Sequence, residues 1–276
     1  MLNNHGGLIN RLEVEPIAAD ANALGVLIVS PDRPGIGAST RAPARDTLSW
    51  TDDVDELLTH LCIDRFATMG YSMGGQYALA VAFRFSERVA AAGIVAGCIP
   101  LDDPATFAEL NDMDKRFTHL SRHKPAVAKA AFRALGRLEG HFPERMATLS
   151  TRKSAQADRA ATAANAELFG AMMSGAATDP GGLVDEYVAW VKPWRFPLDQ
   201  IIAPVEIWQG SVDELVPPVW AHRMADAIPG SVLHIVEGEG HLIGITDRTA
   251  VVDRLREIAQ EAHLTADVNN LPGRHR

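Results

Sequence analysis

Ser72 has the neighbours that a nucleophilic serine needs. It lies in the segment Gly70-Tyr71-Ser72-Met73-Gly74, where the short apolar run Phe66–Met69 passes at once into a helical pattern. A strand, a sharp turn and a helix in this order hold a serine hydroxyl clear of the sheet, and the flanking glycines let strand and helix approach. The amide of Met73 at the helix N-terminus then points to the space in front of the hydroxyl. The pattern predicts attack on an acyl carbonyl carbon; a serine that only caps the helix is the alternative.

A serine nucleophile needs a base, and the base needs an acid that orients it. Asp213 lies in the loop just past the predicted strand Val205–Gly210, and His241 lies in the loop after the predicted strand Ser231–Val236. The carboxyl ends of parallel strands share one edge of a sheet. We therefore expect Ser72, Asp213 and His241 to meet at that edge.

Other side chains compete for both supporting roles. The rival acids are Glu214 and Glu239, and the rival bases are His222 and His234. His234 lies inside the predicted strand and His222 lies in a predicted helix, so we expect neither imidazole to reach Ser72.

These residues and others together resemble the α/β-hydrolase family, in particular its esterases and C–C hydrolases with a helical cap. The motifs that carry the resemblance are His5-Gly6-Gly7, Asp32-Arg33-Pro34-Gly35-Ile36-Gly37-Ala38-Ser39, Gly70-Tyr71-Ser72-Met73-Gly74-Gly75, Gly210-Ser211-Val212-Asp213 and Gly240-His241. The resemblance implies an α/β fold with a doubly wound, mostly parallel sheet, and the chain order serine, acid, histidine. It implies Ser72 as nucleophile, His241 as base and Asp213 as orienting acid.

The resemblance also implies an oxyanion hole and a reaction class. The backbone amides of Gly7 and Met73 would bind the oxyanion, although a flexible glycine-rich N-terminus is the alternative interpretation of residues 5–7. No metal or organic cofactor is implied. Haloalkane dehalogenases and epoxide hydrolases need an aspartate where this chain has Ser72. A carboxylic ester is the favoured substrate; C–C or amide cleavage, or ligand binding without turnover, stay open.

The alternation of strands and helices predicts one core interrupted by an insertion. The core is predicted to span residues 1–100 and 196–262, the helical cap residues 101–195, and a loose tail residues 263–276. Predicted core elements are a helix at Pro16–Leu24, a buried parallel strand at Gly25–Ser30, a helix at Thr47–Leu61 capped by Ser49 or Thr51, and a strand at Val89–Ala96. Asp32–Gly37 lacks the third glycine of a dinucleotide fingerprint and opens no helix, which indicates a structural turn.

The predicted cap has helical periodicity and no convincing strand. Its helical segments are predicted at Ala126–Leu138, Ala155–Met173 and Leu183–Val191. Phe169, Met172, Met173, Trp190 and Trp194 either line a substrate pocket or pack the cap on the core. These apolar side chains, and the absence of a basic cluster among them, favour small or medium, largely apolar acyl substrates.

Composition sets the remaining expectations. The chain has 276 residues, 47% hydrophobic and 22% charged, with a net charge of -9. This charge argues against nucleic acid as a partner. No apolar run is long enough for a membrane span and residues 1–10 lack signal-peptide features, so a cytoplasmic protein acting on a small molecule is expected. Cys62 and Cys98 are expected to be buried thiols, and the oligomeric state is not predicted.

The N-terminus departs from the family's pattern. In the family a complete central strand precedes the His-Gly turn, whereas here only Met1–Asn4 precede His5. Four residues extend at most about 14 Å, so neighbouring strands would lack hydrogen-bond partners. We expect a longer natural chain, by roughly 20 to 35 residues on the family's pattern. We also expect the Gly7 turn to be the most poorly held part of the site.

Overall fold

The structure is a computed structural model that describes residues 1–269, with side-chain surroundings through residue 262. Within this range the strands form one five-stranded parallel sheet in the order β1-β2-β3-β4-β5. The strands are β1 Leu2–Asn4, β2 Phe66–Tyr71, β3 Val89–Val95, β4 Val205–Gly210 and β5 Val232–Val236. The helices of the core are α1 Ala18–Ala23, α2 Trp50–His60, α3 Gly74–Arg84, α11 Pro218–Ala227, α12 Ile243–Thr246 and α13 Arg248–Asn269, with 3-10 turns at Arg11–Ile17 and Leu198–Gln200.

Helices cover both faces of the sheet, as the alternating sequence pattern predicts. Val54 of α2, Leu79 of α3 and Trp220 of α11 belong to one buried apolar cluster. Ala21 of α1 and Leu255 of α13 belong to a second cluster on the opposite face. Strands β2, β3 and β4 are buried between these layers, which is typical of parallel sheets, whereas the edge strand β5 is only partly covered. The predicted doubly wound parallel sheet is confirmed.

The predicted buried strand Gly25–Ser30 is wrong. The segment makes a single bridge to the sheet, in which Asn3 N donates to Val29 O and Val29 N donates to Met1 O, both at 2.8 Å. Leu27 is 71% exposed. An apolar run becomes a buried strand only when both of its faces are covered, and no helix of the described residues covers Leu27 enough to bury it. Sequence alone therefore overestimates the burial of this segment.

A helical insertion, which we define as residues 104–190, connects β3 to β4. Its helices are α4 Pro104–Ala108, α5 Asp112–His123, α6 Pro125–His141, α7 Pro143–Ser150, α8 Gln156–Ala164, α9 Ala166–Ala176 and α10 Pro180–Trp190. The described stretch 101–195 contains no strand, as predicted. The helix predicted over Ala155–Met173 is interrupted at Asn165, where the backbone leaves helical geometry.

Three local predictions fail. Cys62 is exposed because it lies in the turn that ends α2, and Cys98 alone among the two cysteines is buried. Ser49 occupies the N-cap of α2 but its hydroxyl bonds to Asp46 instead of the helix amides. The predicted loose tail begins too early, because α13 continues to Asn269; residues 270–276 lie outside the described range.

Candidate active site

The turn between β2 and α3 holds Ser72 in a strained conformation. Its φ is +53°, in the left-handed region that favours glycine, and its amide donates to Val95 O at 2.8 Å. Steric crowding allows only glycine at positions 70 and 74. A Cβ on Gly70 would lie 2.3 Å from Gly74 O, and a Cβ on Gly74 would lie 2.0 Å from Asn4 O. Strand, turn and helix therefore approach as the sequence pattern predicts, and the hydroxyl of Ser72 points toward the cavity.

The structure brings together the three side chains singled out from the sequence. The distance from His241 Nε2 to Ser72 Oγ is 3.0 Å, and the distance from His241 Nδ1 to Asp213 Oδ2 is 2.9 Å. Both separations are within hydrogen-bonding range. The imidazole thus lies between a hydroxyl on one side and a carboxylate on the other, which fixes the orientation of its ring.

Asp213 is held by its own loop. Its Oδ1 accepts from the amides of Leu215 and Val216 at 2.8 and 2.9 Å. Its Oδ2 accepts from Gln209 Nε2 at 2.9 Å in addition to the imidazole. These partners leave the carboxylate little freedom to turn away from His241.

The rival residues face other partners. His234 Nε2 contacts Glu206 Oε2 at 2.5 Å and its ring stacks on Trp208, as expected for a histidine inside a strand. Glu239 accepts a hydrogen bond from Thr246. Neither side chain is hydrogen-bonded to Ser72 or His241 in the described residues.

Charge around His241 changes its proton affinity. Burial alone would lower the pKa of the imidazole, but the charge of Asp213 and its hydrogen bond, followed by Asp158 and Asp114, raise the pKa above its ordinary value of 6.5. Beneath the imidazole, the ring of Tyr71 lies 5.2 Å away, centroid to centroid. Burial, with the charge of Asp213, keeps the pKa of this phenol well above its ordinary range. Tyr71 therefore acts here as an uncharged apolar floor.

Gly7 and Met73 line the same cavity as Ser72. A Cβ at Gly7 would lie 2.9 Å from Met73 Cε, so the two segments are in contact. The expectation that this turn is poorly held is wrong. The Gly6 amide donates to Glu13 Oε2 at 2.9 Å, and Arg33 Nη2 donates to Gly6 O at 3.0 Å.

A buried ionic network anchors that turn from the other side. Arg33 is fully buried, and its Nε donates to Glu186 Oε1 of α10 at 2.6 Å. Its guanidinium also donates to His5 O, and its backbone amide donates to His5 Nε2 at 3.1 Å. Burial, and next the charge of Arg33, lower the pKa of His5 to about 3, so its ring is neutral and can accept. The turn at Asp32–Gly37 is structural, as predicted, but the role of Arg33 was not foreseen.

Asp158 joins the helical insertion to the histidine loop. Its buried carboxylate accepts from the His241 amide at 3.0 Å and from the Leu242 amide at 2.8 Å. The approach is close, since a Cβ on Gly240 would lie 2.3 Å from Asp158 Oδ2. No motif in the sequence points to this contact, because an aspartate on a helix face is most often solvated.

The cavity in front of Ser72 has a volume of about 170 Å³. The helical insertion supplies much of its wall, in the side chains of Leu110, Met113, Asp114, Phe169, Met173, Tyr187 and Trp190. Of the candidate pocket residues, Phe169, Met173 and Trp190 thus line the cavity. Met172 and Trp194 instead belong to the buried apolar clusters.

Among the described residues, no group of three or more His, Cys, Asp or Glu side chains is arranged to hold a metal ion. No helix in this part of the chain is both long enough and apolar enough to cross a membrane.

A match to a known family shows which fold family this chain belongs to. A family model described as the alpha/beta hydrolase fold matches residues 1–247. The chain belongs to this family. The predicted α/β-hydrolase resemblance and fold are therefore confirmed, and membership supports a hydrolase. No curated protein matches the sequence.

Solved structures agree on the fold of this α/β-hydrolase. An esterase from Thermogutta terrifontis superimposes with a TM-score of 0.68 at 21% identity, covering 95% of this chain and 89% of that one. The enol-lactonase from Burkholderia xenovorans LB400 has a TM-score of 0.70 at 16% identity, covering 94% and 90%. A bromoperoxidase from Bacillus anthracis has a TM-score of 0.69 at 19% identity, covering 94% and 91%. At these identities the likeness extends to the fold alone.

Proposed function

We propose that this α/β-hydrolase cleaves carboxylic esters, with Ser72 as nucleophile, His241 as general base and Asp213 as the acid that orients the imidazole. The observation that carries the proposal is the unbroken hydrogen-bond chain from Asp213 through His241 to Ser72, with distances of 2.9 and 3.0 Å. A serine, histidine and carboxylate in this geometry can perform acyl transfer without a cofactor.

The reaction follows from these atoms in two stages. Ser72 Oγ attacks the acyl carbon while His241 Nε2 takes the hydroxyl proton, and the imidazolium returns that proton to the departing alcohol oxygen. A water molecule then attacks the acyl carbon while His241 takes its proton; the bond from this carbon to Ser72 Oγ breaks, the imidazolium returns the proton to Oγ, and the carboxylic acid leaves. Asp213 accepts from Nδ1 throughout, which keeps Nε2 free to accept a proton and stabilises the imidazolium.

The carbonyl oxygen gains negative charge in both stages. We infer that the amides of Gly7 and Met73 bind this oxygen, because both residues border the cavity beside Ser72. Among the described residues, neither amide donates a hydrogen bond to another backbone carbonyl in a turn, loop or helix cap. Donors fixed in advance stabilise the developing charge without reorganising during the reaction.

The cavity supports a short acyl or alcohol group. Its volume of about 170 Å³ is below the roughly 300–1,000 Å³ of pockets for drug-sized ligands. We infer that the helical insertion is the family's cap, because it walls this cavity and would exclude water from the reacting carbonyl. The names of two structural neighbours, an esterase and an enol-lactonase, also favour ester cleavage, since a lactone is a cyclic ester.

The experiment is hydrolysis of a p-nitrophenyl ester series from acetate to laurate. We expect turnover that peaks at short chains and falls on the order of 10⁴- to 10⁶-fold in Ser72→Ala or His241→Ala, with a smaller loss in Asp213→Asn. Matched controls are Ser150→Ala and His60→Ala, which remove exposed side chains far from the cavity and should leave the rate unchanged. Unchanged turnover in Ser72→Ala would refute the proposal.

Other substrates distinguish the alternatives. Cleavage of amides or of C–C bonds at rates above those of all esters would move the assignment to another reaction of the same fold. Ester binding by a folded protein with no turnover of any of these substrates would favour a ligand-binding role.

A further inference from the structure

Asp114 places a carboxylate in the wall of the cavity that holds Ser72. It lies in the first turn of α5, opposite α10, and borders the cavity together with Ser72 and His241. Its Oδ1 accepts from the hydroxyl of Tyr187 at 2.7 Å, and its Oδ2 accepts from Asn111 Nδ2 at 2.8 Å. These two donors fix the plane of the carboxyl group. Each oxygen keeps a second acceptor position.

No cationic side chain neutralises this carboxylate within the described part of the chain. Asp114 forms no ion pair there, and the residues that line the cavity include no Lys or Arg. Burial raises the pKa of Asp114 above its ordinary value, although the hydrogen bonds from Tyr187 and Asn111 and the charge of His241 oppose that effect. A desolvated carboxylate without a cation costs free energy that a suitable ligand can recover.

Most of the other side chains that line this cavity are apolar. They include Leu110, Met113, Leu215 and Val216. Asp213 is already used by His241 and by amides of its own loop. Among the described residues that line the cavity, Asp114 is thus the one carboxylate with acceptor positions left for a bound molecule.

We propose that Asp114 determines specificity by accepting a hydrogen bond from the substrate, so that this hydrolase prefers esters with an O–H or N–H donor on the group that fills the cavity. This inference rests on the proposed ester hydrolysis at Ser72. It narrows the expectation of a small or medium, largely apolar acyl substrate to a short substrate that carries a single polar donor. A site that accepts a hydrogen bond from such a donor favours the ester that carries it, because an analogue of equal size excludes water from the carboxylate without replacing that hydrogen bond.

The experiment uses pairs of esters that differ in the donor and not in size. Methyl 3-hydroxybutyrate and methyl 3-methylbutyrate test the acyl side, and 2-hydroxyethyl butyrate and propyl butyrate test the alcohol side. Hydrolysis is followed by pH-stat titration on wild type, Asp114→Leu and Asp114→Asn. Asp112→Asn is the matched control, because it removes a charge from the same helix at an exposed position outside the cavity.

We expect wild type to favour the hydroxylated ester of at least one pair in kcat/KM. That preference should fall about 10-fold or more in Asp114→Leu, by less in Asp114→Asn, whose amide oxygen still accepts, and not at all in Asp112→Asn. Equal preferences in wild type and both Asp114 variants would overturn the inference.

Binding separates this inference from the proposed function. Affinities of 2-hydroxyethyl butyrate and propyl butyrate, and of the two methyl esters, are measured by calorimetry on Ser72→Ala with and without Asp114→Leu. A donor preference that depends on Asp114 supports the inference even if wild type hydrolyses no ester. Absence of ester turnover alone would therefore contradict the proposed role of Ser72 as nucleophile. Equal affinities within both pairs would contradict the proposed role of Asp114 in specificity.

Discussion

Replacing Asp158 by asparagine should slow ester hydrolysis although Asp158 touches no reacting atom. The carboxylate lies on α8 in the helical insertion and accepts from the amides of His241 and Leu242, at 3.0 and 2.8 Å. Asparagine can accept from one of these amides, but its NH₂ group then faces the other amide donor. The substitution removes one hydrogen bond and sets two donors against each other.

The magnitude follows from the burial of this contact. Hydrogen bonds to charged groups contribute about 1.5–3 kcal/mol, and a buried donor left unpaired costs about 1–3 kcal/mol. We expect Asp158→Asn to lower the free energy of unfolding by about 2–4 kcal/mol. The loop that carries His241 loses its anchor to α8, and a shift of the imidazole by about 1 Å can cost on the order of 100-fold in rate.

Removing the charge of Asp158 should also change the pH dependence of activity, which is independent of the loss of stability. It is one of the groups that raise the pKa of His241. Only the neutral imidazole can take the proton of Ser72, so activity is present above this pKa and is lost as the pH falls through it. Removing the charge lowers the pKa, and the acidic limb of kcat/KM should move to lower pH.

The assay is the pH dependence of p-nitrophenyl butyrate hydrolysis between pH 5 and 9, with urea unfolding of the same proteins. Glu167→Gln is the control, because it changes an exposed carboxylate of the same helical insertion to an amide. A variant with wild-type stability, or an acidic limb that stays in place or moves to higher pH, would refute the role assigned to Asp158.

Two further predictions concern the buried network of Arg33, Glu186 and His5 behind the turn at residues 5–7. Glu186→Gln should lower the free energy of unfolding by about 3 kcal/mol or more, since it leaves the buried Arg33 without its charged partner; Asp55→Asn, in an exposed pair, should cost less than about 1 kcal/mol. Urea denaturation measures both, and similar losses would contradict the prediction. His5 has a pKa of about 3 in the folded protein and about 6.5 when unfolded, so it takes up a proton on unfolding between these values. Stability should decrease as the pH falls from 6.5 toward 3. His5→Gln should weaken this dependence between pH 7 and 4.5, and an identical slope in both proteins would count against it.

The parts of the site that follow strands could be predicted from sequence. Ser72, Asp213 and His241 each lie in the turn or loop that follows a predicted strand, and parallel strands bring their carboxyl ends to one edge. The structure gives β2, β4 and β5 nearly the predicted bounds. Local pattern marks where each strand ends, and the parallel arrangement that alternating strands and helices predict then places the three loops together without knowledge of individual contacts.

Residues that act through distant contacts could not be found this way. Glu186 lies 153 residues from Arg33, and Asp158 lies 83 residues from His241. Each is a common charged residue on a helix, and nothing in its immediate neighbours separates a buried partner from a solvated one. Asp114 was missed for the same reason, since its importance comes from the cavity that other helices close around it.

The edge of the sheet shows the opposite error. Gly25–Ser30 has the composition of a buried strand, yet Leu27 is largely exposed and only Val29 bridges to β1. Composition records the preference of each side chain, whereas burial depends on whether another element covers it.

The central claim is that Ser72 is a nucleophile activated by His241, and covalent labelling tests it most directly. A fluorophosphonate reacts with an activated serine, and mass spectrometry of the digested protein identifies the modified residue. We expect one adduct per chain, on the peptide that contains Ser72, with no adduct in Ser72→Ala and much slower labelling in His241→Ala. Labelling of another residue at the wild-type rate, or an undiminished rate in His241→Ala, would contradict the account.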